Sequence, residues 1–140
     1  MLVRRVPAIV LSLALGAAAL VSAPIALASD GGNATDVQKD RDPCGAGTDT
    51  FARLKVFTLE NNSTRLQVVA TVFSDDSDVW VWKLRHNGTL SDDGRARGQE
   101  DSDLAFRVTR TMINFDGLDD VGFRAENQRT GEVCRPSLSY

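Results

Sequence analysis

From Phe51 onward the chain is cut into short alternating runs, with turn-forming residues returning about every 10 to 12 positions. No stretch in this region has a helical period. Alternation with a period of two puts every second side chain on one face of a strand. Regular breaks then force the chain back on itself, so the pattern predicts an all-β antiparallel domain. "TFARLKVFTLE" reads as the first strand and "NNST" as its turn. In "TRLQVVATVFS", Leu66, Val68, Ala70 and Val72 share one face, with Val69 and Phe73 on the other. After the "DDSD" break, "VWVWKLRH" places Trp80, Trp82 and Leu84 on one face.

"HNGT" is the strongest local signal. Asn87-Gly88 suits a two-residue type I′ turn, in which both central residues need positive φ. Without a bulge, such a turn sets Lys83 opposite Asp92. "SDDGRARGQEDSD" reads as a polar, glycine-bearing connection with room for a short edge strand. "LAFRVTRTMINF" then carries Leu104, Phe106, Val108 and Met112 on one face, and "VGFRAEN" carries Val121, Phe123 and Ala125. "EVCR" completes the last hairpin. Six to seven strands in an antiparallel two-sheet sandwich accommodate these segments.

The Trp-bearing third strand and the "DGLDDVGFRA" corner resemble immunoglobulin-like and fibronectin-like domains over about residues 50 to 135. In immunoglobulin domains a Tyr stands near that corner, two residues before a Cys. Phe123 and Ala125 hold the matching spacing here, so the hydroxyl and that family's inter-sheet disulfide are both missing. The closing "NQRTGEVCR" hairpin is similar to that of small secreted actinobacterial β-sandwich proteins. That resemblance implies secretion and fold, and no particular activity.

The N-terminus has the form of a secretory leader. Arg4 and Arg5 precede the uncharged, mostly apolar run from Ala8 to Val21, and "ALA" before Ser29 offers a cleavage site. Residues 1–28 are therefore expected to be a cleaved signal peptide. Residues 29–49, rich in Gly and Asp, read as a flexible polar arm containing Cys44, and residues 50–140 as the β-sandwich domain. Removing Arg4 and Arg5 leaves 14 basic against 19 acidic residues, a formal charge of −5. That balance argues against nucleic acid as a partner. Cys44 and Cys134 are the only cysteines. In an oxidising compartment they are expected to form one intramolecular disulfide.

Candidate sites are few. His86, the only histidine, is expected to be solvated at its hairpin tip, which speaks against a catalytic triad. The "DDSD" turn (Asp75, Asp76, Asp78) and the "DGLDD" turn (Asp116, Asp119, Asp120) have the oxygen ligands Ca²⁺ prefers but no EF-hand spacing, and read as solvated turn acids. Neither a metal nor a cofactor is expected. Trp80 and Trp82 are candidates for a binding platform, or for the core. Arg107, Arg124 and Arg129 are candidates for an outer-face basic stripe, with Glu126 and Glu132 as cross-strand ion partners. The expectation is a secreted, extracellular, non-enzymatic binding module for a protein or glycan, monomeric and free of the membrane in its mature form. The alternatives are an inhibitor of a secreted hydrolase acting through residues 91–103, and a small carbohydrate-active hydrolase with paired carboxylates.

Overall fold

The computed structural model describes residues 34–45 and 48–140, so the expected signal peptide lies outside the described residues. Among these residues no helix is long and apolar enough to cross a membrane. The strands are β1 Ala34–Pro43, β2 Phe51–Leu59, β3 Asn62–Phe73, β4 Val79–His86, β5 Thr89–Arg97, β6 Ala105–Ile113, β7 Asp120–Asn127, β8 Val133–Cys134 and β9 Ser137–Ser139. One sheet has the order β1-β2-β3-β6 and the other β5-β4-β7-β8, with β9 also on β7. All pairings are antiparallel. The chain is an all-β sandwich of two sheets.

The alternating residues fill the space between the sheets as the sequence predicts. Leu54, Val56, Leu66, Val68, Val72, Trp80, Leu84, Val121 and Phe123 are at most 2 % exposed. Each such side chain stabilises the fold by about 1.5–3 kcal/mol relative to exposure. Trp80 meets Phe106 across the core, ring centroids 6.2 Å apart, and Trp82 stacks near Phe123 at 6.3 Å. Trp82 fits because Gly94 faces it from β5: a Cβ there would lie 2.8 Å from the indole. Asn87 (φ 49°) and Gly88 (φ 78°) both adopt positive φ, as a type I′ turn requires.

Four local expectations change. The register slips between Leu84 and Arg85, so Lys83 faces Asp93 rather than Asp92, because a bulge at Ser91 follows the turn. The connection after it is a nine-residue edge strand, β5. Its inward positions are Asp92, Gly94 and Ala96, so it has no apolar alternation to read. Leu104 precedes β6 with φ 58° and is only half-buried. The polar segment Ala34–Pro43, read as part of an arm, pairs along β2 as a ten-residue strand. Edge pairing rests on backbone hydrogen bonds, which polar side chains do not prevent.

That first strand closes one side of the sandwich. Asp40 and Asp42 turn inward and accept the backbone N–H groups of Ser137 (2.9 Å) and Arg135 (2.6 Å). Amides on the far edge of the second sheet are thus satisfied by side chains of the first. Just past β1, Cys44 is bridged to Cys134 of β8, and both are buried. The disulfide joins the two sheets at their edges. On the opposite side, Arg110 of β6 pairs with Asp92 of β5 and lies 5.6 Å from the Trp82 ring. Inward charges on edge strands discourage pairing with a second molecule.

Candidate binding surface

Because even-numbered residues of β2, β3 and β6 point inward, the odd-numbered ones form the outer face of the first sheet, extended by β1. That face carries Lys39, Arg41, Arg53, Lys55, Arg65 and Arg107. No carboxylate projects from it among the described residues. Register sets Arg41 directly opposite Arg53 and Lys39 directly opposite Lys55. Like charges so placed are destabilising. Two aromatic rings share the load: Phe51 stacks on Phe73 with centroids 4.5 Å apart, Arg41 lies 3.8 Å above Phe51, and Arg53 lies 5.3 Å above Phe73. Between β2, β3 and β6 the face dips into a trough of about 240 Å³ that Arg53, Lys55, Gln67, Thr71 and Arg107 line.

The acids lie elsewhere. Asp40 and Asp42 face inward, while Asp75, Asp76 and Asp78 occupy a turn at one end of the sandwich and Asp116, Asp119 and Asp120 a turn at the other. The chain is therefore acidic in total and basic on its flat face. At physiological salt the screening length is about 8 Å, shorter than the roughly 10 Å between packed sheets. A ligand on the face responds to the local cations more than to the net charge.

The expected stripe of Arg107, Arg124 and Arg129 does not form. Arg107 belongs to β6 and Arg124 to β7, on opposite faces of the sandwich. Arg124 pairs with Glu126 at 2.6 Å on its own strand. Arg129 sits in the β7–β8 turn, where it bonds Asp78 (2.7 Å) and Asp76 (3.4 Å). That hydrogen bond from Arg129 holds the Asp78 carboxyl below its ordinary value, and Asp78 in turn raises Arg129. Burial of Asp78 opposes the shift, and an amide hydrogen bond from Asn127 supports it.

Trp80 is fully buried and Trp82 is 6 % exposed. Neither offers a ring to a ligand, so both leave the set of binding candidates for the core: their inward register and the absent side chain at Gly94 leave no other place for them. His86 is also not a solvated tip. Its Nε2 shares a 2.5 Å hydrogen bond with Asp119, whose side chain is fully buried, and its ring lies 5.3 Å from Phe115. Asp119 also accepts from Asn87 Nδ2 (3.2 Å) and from the backbone N–H of Phe115 (3.1 Å). The hairpin tip folds against the β6–β7 corner through backbone bonds such as Asn87 N–H to Asp120 O (2.8 Å), which is why a turn acid is interior here.

The segment 91–103 is not an open inhibitory loop, because residues through Arg97 are paired with β4. Where it turns toward β6, it walls a cleft of about 690 Å³ beside Arg107, and among the described residues no carboxylate lines this cleft or the trough. The basic face was missed from sequence because a third of its cations, Lys39 and Arg41, come from β1, whose strand character its composition hides. The sign of the alternation was available: in "FARLKVF" both cations fall on the same parity as Phe51 and Phe57. Neither a protein-family profile nor a curated protein matches the chain.

Proposed function

We propose that the protein is a secreted, non-enzymatic binding module that holds an extended polyanion, an acidic glycan of the extracellular space, against the outer face of its first sheet. The observation that carries this reading is the gathering of Lys39, Arg41, Arg53, Arg65 and Arg107 on a face from which no carboxylate projects among the described residues, with Arg41 directly opposite Arg53. A fold that places like charges side by side is relieved by an anion laid across them. A polymer suits the surface better than a protein does. Phe51 and Phe73 are roofed by guanidinium groups, so the face offers an approaching ligand charge and hydrogen-bond donors rather than bare rings. The buried Cys44–Cys134 bridge supports an oxidising, extracellular location for a monomer. Kinship with immunoglobulin-like and fibronectin-like domains is supported by the strand order. From β3 onward the chain passes to the other sheet for β4 and β5, returns for β6, and passes over again for β7. No metal or cofactor enters this reading.

The test is binding of the mature domain to a soluble polyuronate and to neutral dextran, across a range of salt. The polyuronate is expected to bind, more weakly as salt rises, and dextran not to bind. Lys39→Glu reverses one charge of the basic face. It is expected to weaken polyuronate binding about fivefold or more. Equal binding to dextran, or an affinity that Lys39→Glu leaves untouched, overturns the proposal. Tighter binding to duplex DNA than to polyuronate assigns the face to nucleic acid instead.

A further inference from the structure

We propose that the cleft between β5 and β6 is a separate binding site for a single anionic sugar unit, one that presents an oxyanion together with ring hydroxyls. The assignment rests on the polyanion reading only in that it gives the acidic polymer a place to seat one of its units.

Arg95 and Arg97 come from β5 and Arg107 from β6, and among the described residues no acid joins them. Among the described residues none of the three arginines makes an ion pair. A guanidinium presents a rigid fork of donors that matches an oxyanion of carboxylate, sulfate or phosphate. Gln99, Ser102 and Thr71 line the same space with groups that can both donate and accept, as sugar hydroxyls demand. Half-buried Phe73 adds an apolar edge to the lining. A volume of about 690 Å³ falls within the range of pockets that take small molecules.

The walls are also held in place. A Cβ on Gly98 would lie 2.3 Å from the Leu104 carbonyl oxygen and 2.7 Å from that of Asp76, so only glycine allows β5 to end so close to its neighbours. Beyond it, Asp103 (φ 51°) and Leu104 (φ 58°) stand consecutively in the left-handed region. That conformation is costly for Leu, and such strain gathers at ligand clamps. The Leu104 and Ser102 N–H groups both donate to the Gln99 carbonyl, at 2.9 and 3.0 Å, and fix the turn that carries two of the polar lining residues. Arg107 lines both this cleft and the trough of the first sheet, so the cleft lies at the end of the basic face.

The experiment is an NMR titration of the full mature domain with glucuronic acid, glucose 6-sulfate, glucose 6-phosphate, glucose and inorganic phosphate, followed at the arginine Nε–H and Gln99 amide signals. One or more of the acidic sugars is expected to shift the Arg95, Arg97 and Gln99 signals, and which one does so names the oxyanion. Glucose is expected to leave them in place. Arg95→Ala and Arg97→Ala, both on exposed positions of an edge strand, are expected to weaken that binding about tenfold each. Lys39→Glu, far from the cleft, is expected to leave it unchanged while weakening polyuronate, which separates failure of this site from failure of the polyanion reading. Silence of the cleft signals toward every acidic sugar overturns the proposal. An equal response to inorganic phosphate reduces it to a bare anion site and overturns the sugar assignment.

Discussion

At the scale of single residues, the position most dependent on its surroundings is Asp119. Its carboxyl is fully buried and accepts from His86, Asn87 and the Phe115 backbone, so it ties the β4–β5 hairpin to the β6–β7 corner. Replacing it with alanine leaves donors without an acceptor in a place water reaches poorly. Asp119→Ala is expected to lower stability in urea unfolding by about 3 kcal/mol, since each buried donor left unpaired costs about 1–3 kcal/mol. Because this cluster lies at the end of the sandwich and off the basic face, polyuronate affinity measured below the unfolding transition should stay at the wild-type level. A loss of affinity without a loss of stability would place His86 and Asp119 in the binding machinery. From sequence, an aspartate in "DGLDD" and a histidine beside Asn-Gly both read as solvated. Their pairing depends on two turns 33 residues apart meeting in space, which no local pattern records.

At the scale of elements, strands with an apolar alternation were legible, and strands without one were not. Leu66, Val68, Ala70 and Val72, and likewise Val121, Phe123 and Ala125, are buried as their parity requires. β1 and β5 are edge strands whose inward positions hold Asp40, Asp42, Asp92 and Gly94, so hydrophobic periodicity has nothing to detect. The last strand is divided by Pro136, which lacks the N–H a continuous ladder would use, although its carbonyl still accepts from Phe123 at 3.0 Å. The β7–β8 turn is held by the Asp78–Arg129 pair, and its pH dependence has a definite sign. The folded-state value of Asp78 lies below the ordinary 3.8, so its contribution is complete above that value and fades as pH falls through the lowered one. Asp78→Asn is expected to reduce the melting temperature at pH 6, with the gap to wild type narrowing as the pH falls below the ordinary 3.8. A gap that stays constant with pH would show that the charge on Asp78 contributes nothing.

At the scale of the whole molecule, the disulfide and the sheet edges act together. Cys44 and Cys134 are 90 residues apart in sequence, so the bridge restricts the unfolded chain by about 4 kcal/mol in the chain-entropy account. The double variant Cys44→Ser, Cys134→Ser is expected to lose about that much stability and to sediment as the same species as wild type. A change of oligomeric state on removing the cysteines would refute a purely intramolecular role. The bridge has a mechanical side as well. A polymer held on Lys39 and Arg41 and then pulled would load β1 along its axis, where its ladder to β2 resists in shear. Cys44 stands one residue beyond the end of that strand and is covalently joined to β8 on the opposite sheet. Tension applied to one face is thus shared across the thickness of the sandwich, and the Cys44 end of the edge strand cannot part from its neighbour without carrying the far sheet with it.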